Sequence, residues 1–171
     1  ALVLSMSMGG LPSEALTDSV NLAYYEGLLL VTAGGNNISG APSPKTIVYP
    51  ARYKRVIAAC GVMGDGRAYT GLSPFTMQGN FGPREKMDTA IGAYTPNVPW
   101  AQIHCGGIVD MNGAGTSAAT PQVAAAAALW LAHHWEVVKT YPKPWMRIEA
   151  TRKALFEAAA KSTARMDAAE T

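Results

Sequence analysis

Cysteine is scarce: Cys60 and Cys105 are the only two in 171 residues. Two are too few for a disulfide framework, and their separation matches no zinc-ligand spacing. Buried free thiols are expected, with one bridge between the pair as the alternative, and the redox compartment stays open. Charge is scarce too, at 15% of residues with a net charge of +2. No Lys/Arg cluster and no interleaving of basic with aromatic residues occurs, so a nucleic-acid partner has no electrostatic support. Long apolar runs are also missing. The longest, from Val123 to Ala132, falls well short of the ~20 residues that span a bilayer, which excludes a transmembrane helix. The opening residues, Ala1-Leu2-Val3-Leu4-Ser5-Met6-Ser7, have neither an initiator methionine nor the basic flank of a secretory signal. They read as a strand already under way, and the expectation is a chain cut from a longer polypeptide upstream of residue 1.

What is plentiful is apolar. Hydrophobic residues make up 49% of the chain, which argues for a packed globular protein rather than disorder or a charged coil. A single domain over residues 1–171 is expected, burying roughly two thirds of its unfolded surface. Within it, the polar stretch 161–171 should fray.

Residues 1–7 carry no helical period and stop at Gly9-Gly10, which predicts a buried strand. Ser13 then caps a helix with Leu16, Val20, Ala23 and Tyr24 on one face, closed by Gly27. Leu28 to Thr32 forms a second buried strand, ending in Ala33-Gly34-Gly35-Asn36-Asn37. Strand, helix and strand at these lengths make a parallel βαβ unit. The turns after the two strands then share the C-terminal edge of the sheet, where open α/β sheets bind ligands. Glycines there admit a close approach to the backbone, and an Asn offers an uncharged amide donor; tight chain reversal alone would also use such residues.

Residues 38–50, rich in Pro, read as loop. Arg55 to Val62 is a strand, and Gly64-Asp65-Gly66 a hairpin turn into Arg67 to Thr70. Residues 72–85 read as irregular, Thr89 to Tyr94 as a short strand, and residues 100–109 as one or two more. Ile148, Leu155, Phe156 and Ala159 mark the core face of a terminal amphipathic helix.

The central stretch is Gly113-Ala114-Gly115-Thr116-Ser117-Ala118-Ala119-Thr120-Pro121-Gln122-Val123, which leads into Ala124 to Ala132. A Gly-rich approach ends on hydroxyls and enters a helix apolar on every side, which should be buried. A serine at the mouth of such a helix has a fixed backbone, and the helix N-terminus favours negative charge nearby. Two readings stand side by side: a nucleophile, or Thr116, Ser117 or Thr120 as an ordinary N-cap. Capping rules start the helix at Thr120-Pro121.

Three stretches together resemble the subtilisin-like serine peptidases, the subtilases. Gly115-Thr116-Ser117-Ala118-Ala119-Thr120-Pro121-Gln122-Val123-Ala124 is similar to that family's Gly-Thr-Ser-x-Ala-x-Pro-x-Val-Ala nucleophile motif. Ala33-Gly34-Gly35-Asn36 is similar to the strand end that carries its oxyanion asparagine. Ser7-Met8-Gly9-Gly10 resembles its substrate-pairing segment, and Tyr49-Pro50-Ala51 with Val56-Ile57-Ala58 resembles the strand entry between them. The likeness runs over about residues 1–160 and starts the helix near Ser117, so that Pro121 would leave one early carbonyl unpaired.

The resemblance implies an α/β fold in three layers, a mainly parallel sheet with flanking helices, lacking the family's first strands. It implies a serine endopeptidase with Ser117 as nucleophile and Asn36 as oxyanion donor. Ser7, Met8 and Gly9 would pair with an extended peptide or protein substrate, and Ala33 with Gly34 would wall an uncharged, fairly open first pocket taking apolar or medium side chains. The family's Asp and His contexts are missing here and would precede residue 1. His133 and His134 end the central helix, roughly 24 Å from Ser117 by helical rise, and His104 sits near a strand. The alternative is an inactive subtilase-like scaffold that binds a peptide or partner domain. An exposed truncated face should pair with the upstream part of the same polypeptide or with a second copy. The reaction requires no cofactor; the family often binds calcium, and the carbonyls of Ala51, Tyr53 and Val56 resemble one weak cation site, without a supporting carboxylate and so with no metal assigned. An extracellular location follows from the resemblance alone.

Overall fold

A computed structural model describes residues 2–38, 41–70, 77–102, 104 and 106–160. The expected pairing partner Cys105 and the tail over 161–171 lie outside these residues. A four-stranded parallel sheet forms the middle layer, ordered β1 (Val3–Met6), β2 (Leu29–Ala33), β4 (Ile57–Val62), β6 (Ala90–Tyr94). Between β1 and β2 runs α1 (Glu14–Tyr25), where the Ser13 hydroxyl accepts from the Leu16 N–H as the cap and Gly27 closes the end at a φ of 76°. That is the βαβ unit expected from the residue pattern.

Alternation along the strands divides the core between two faces. Leu29, Val31, Ile57 and Ala59 pack with Ala119, Val123, Ala124 and Ala127 of α3 (Gly115–His133) and with Ile148 of α5 (Pro144–Ala158). On the other face Leu30 and Val56 meet Val20 of α1, while Ala58 and Cys60 meet Ile47 and Ala51. Helices cover both faces of a parallel sheet, so the architecture is three-layer α/β. The remaining elements are short: β3 (Asn36–Ile38) pairs antiparallel with β5 (Met77–Gly79), β7 (Val98–Ala101) pairs antiparallel with β8 (Val109–Gly113), and α2 (Arg84–Met87) and α4 (Trp135–Val138) are single turns.

Four expectations are corrected. β1 is not buried: it is the sheet's edge, and Leu4 is 40% exposed because among the described residues β1 pairs with β2 alone. α3 is not buried all round, since Ala125, Ala128 and the 71%-exposed Leu129 face outward. Its uniform apolarity therefore marks two apolar faces, of which the described residues cover one. Residues 36–38, read as turn and loop, and 77–79, read as irregular, form a ladder that no alternation announced. The turn at Gly64-Asp65-Gly66 exists, with Asp65 accepting from the Arg67 N–H, but the segment after it makes isolated bridges rather than a strand.

Candidate active site

Parallel pairing puts the ends of β1 and β2 side by side, because Met6 stands opposite Thr32. Ser7-Met8-Gly9 therefore leaves the sheet next to Ala33-Gly34-Gly35-Asn36, at the C-terminal edge foreseen for ligand binding. Ser7, Met8 and Gly9 are exposed, while Ala33 and Gly34 are buried and present backbone. α3 enters the same edge from behind and begins at Gly115, where capping rules alone had placed Thr120.

Ala114 is the cap residue and makes no side-chain bond, so Thr116 and Ser117 are the second and third helical positions with N–H groups that no intrahelical carbonyl can reach. A distant side chain satisfies the first of them. Asn36 Oδ1 accepts from the Thr116 N–H at 2.9 Å and from Thr116 Oγ1 at 3.3 Å. This fixes the amide orientation, because a flipped Asn36 would set donor against donor. Its Nδ2 is then the free end and has no acceptor among the described residues. The Ser117 N–H, one residue along the same turn, is likewise free.

Thr116 binds the two segments together. Fully buried, its Oγ1 accepts from the Gly35 N–H at 3.1 Å and shares its one proton between Asn36 Oδ1 and the Gly35 carbonyl, the latter at 3.1 Å. Gly115 must be glycine: its φ is 72°, and a Cβ would lie 3.0 Å from Asn36 Nδ2 and 3.1 Å from Oδ1. Thr116 was not singled out from the sequence beyond a cap, because a threonine beside a serine gives no sign of a partner eighty residues away.

Pro121 lies inside α3 and offers no N–H to the Ser117 carbonyl. The unpaired carbonyl expected from the resemblance is present, and the Ser7 hydroxyl donates to it at 2.8 Å. Ser7 thus touches the main chain of Ser117 itself. Ser117 is half-buried, and its own hydroxyl has no partner among the described residues. None of His104, His133 and His134 bonds to it.

The carbonyls resembling a weak cation site have an occupant. Buried Lys86 directs Nζ at the carbonyls of Tyr53 and Val56, 2.8 Å from each, and Arg152 donates to the Lys54 carbonyl between them. A metal ion does not fit where an ammonium already lies, and the described residues hold no group of three His, Cys, Asp or Glu side chains. Burial, then the Arg152 charge, lowers Lys86 to about 7. Cys60 is a buried free thiol that burial raises to about 12. Nothing in the sequence around Lys86 foretold this contact.

The family model described as the Subtilase family matches residues 1–169. The chain is 33% identical over 135 residues to subtilisin DY of Bacillus licheniformis, covering 77% of this chain and 43% of that protein. It is 27% identical over 172 residues to the major intracellular serine protease of Bacillus subtilis strain 168, covering 99% of this chain and 46% of that one. The structure of the prenylagaramide maturation protease PagA superposes with a TM-score of 0.69 at 22% identity, covering 95% of this chain and 53% of that one. The chain thus spans less than half the length of these two curated relatives.

Proposed function

Because this chain belongs to the subtilase family, we propose that it carries the nucleophile and both oxyanion donors of a serine endopeptidase whose base and orienting carboxylate lie upstream of residue 1. Ser117 Oγ attacks the scissile carbonyl carbon, and its proton passes to the upstream His. The carbonyl π pair moves onto oxygen, and the Ser117 N–H and Asn36 Nδ2 donate to the resulting oxyanion. Collapse expels the amine, which takes the proton from the imidazolium, and leaves an ester on Ser117. Water then cleaves the ester by the same route. Ser7, Met8 and Gly9 hold the substrate as an added strand, with Ala33 and Gly34 beside its first side chain. No cofactor takes part.

One observation carries this reading: the Asn36 carbonyl oxygen is committed to Thr116, which leaves the amide nitrogen free beside the free Ser117 N–H. Two preset donors at a serine are what a tetrahedral oxyanion needs. In the polypeptide extended upstream, Asn36→Leu should lower kcat roughly 100- to 1000-fold with KM little changed, the loss known for such a donor in a subtilisin. An unchanged kcat, or cleavage that survives Ser117→Ala, refutes the assignment. The bare Ser117 hydroxyl supports one second reading, a peptide-binding scaffold without turnover. An upstream sequence lacking Asp and His would decide for it.

A further inference from the structure

The two walls of the peptide groove share a floor. The Val48 N–H donates to the Gly34 carbonyl at 3.0 Å, and the Gly10 N–H donates to the Tyr49 carbonyl at 2.8 Å. The Val48-Tyr49 backbone is thereby fastened to both segments, which fixes where the Val48 side chain stands. That side chain lies between two glycines. A Cβ on Gly9 would fall 2.6 Å from Val48 Cγ2, and one on Gly35 would fall 2.9 Å from the same methyl.

We propose that Val48 closes the first specificity pocket to large side chains, so that the substrates are peptides with Ala, Gly or Ser at the residue that supplies the scissile carbonyl. This rests on the peptidase reading above. An aromatic ring needs walls about 7 Å apart, the sum of two carbon contacts at ~3.5 Å. Here one methyl touches the main chain of both walls, and no ring enters beside it. A β-branched side chain on a backbone bonded at both ends does not swing away. Val48 is half-buried. Met8, at the rim, is 54% exposed and is no part of that floor. The open pocket expected from small wall residues overlooked this one, because Val48 lies in a stretch that reads as loop.

Product peptides test the idea on this chain without turnover. Acetyl-Ala-Ala-Pro-Ala and acetyl-Ala-Ala-Pro-Phe, each with a free carboxylate, are titrated while the amide resonances of Gly34, Gly35 and Ser117 are followed. The Ala-ended peptide should bind at least ~10-fold tighter, as expected for an overfilled pocket. Val48→Gly should reverse the order, and the milder Val48→Ala should narrow the gap, which guards against a Gly variant that fails to fold. Equal binding of both peptides to the unmutated chain, or a ratio unmoved by Val48→Ala, overturns the proposal and leaves the peptide groove standing. If neither peptide moves those resonances, the groove itself is wrong and the proposal falls with it.

Discussion

Lys86 places a cation in the core, between α2 and the loop that enters β4, with two backbone carbonyls as its partners. Its folded value of about 7 lies below the 10.5 of an ordinary lysine, burial being the larger cause and Arg152 the smaller. Between those values the unfolded chain binds more protons than the folded one, so stability rises with pH and is lost as pH falls through 7. The neutral amine keeps two N–H groups, one for each carbonyl, so losing the proton orphans neither. Cys60 acts in the opposite sense at higher pH. With its thiol raised from 9.0 to about 12, its contribution is full below 9 and declines above it. The window free of this interference is about pH 7 to 8.5. There the urea midpoint of the unmutated chain should climb, and that of Lys86→Met should stay flat. Equal slopes in the two proteins would refute the role given to Lys86.

At the scale of elements, α3 depends on two side chains from distant strand ends. Asn36 caps its second N–H, and Ser7 takes the carbonyl that Pro121 cannot serve. Ser7→Ala should cost about 1 kcal/mol, the worth of one such bond. Pro121→Ala supplies the missing N–H, so in that background the Ser7→Ala cost should shrink by at least about 0.5 kcal/mol, a coupling that urea unfolding of the four proteins measures. Strict additivity would show that the Ser7 bond does not stand in for the N–H that Pro121 lacks. The break at Pro121 was legible in the sequence because proline's missing N–H is a covalent fact. Its remedy was not, because Ser7 lies 110 residues away and any hydroxyl could have served. The βαβ unit was legible for a similar reason: the Ser13 cap, Gly27 and two short apolar runs act locally. β3 and β5 escaped notice because their pairing is fixed by tertiary position and by no alternation of their own.

Across the whole molecule, the described residues leave apolar surface uncovered. The edge of β1, unpaired among the described residues, and the outer face of α3 adjoin, and Leu2, Val3, Ala128, Leu131, Ala132 and Trp135 line a recess between them. An unpaired edge beside apolar side chains is a pairing surface. We propose that the upstream part of the polypeptide covers it. The 171-residue chain alone should then self-associate with rising concentration in light scattering, and the extended polypeptide should not; a monomeric short chain contradicts this. The sequence pattern showed that α3 is apolar on all sides, but not which side lacks a cover, since composition cannot tell a buried face from one awaiting a partner. The peptidase account implies a division of labour: donors and nucleophile here, base elsewhere. Fluorophosphonate labelling of Ser117, read by peptide mass, tests it most directly. The account predicts little label on the 171-residue chain and rapid labelling once the upstream segment is joined. Rapid labelling of the short chain, or none of the long one, would contradict it.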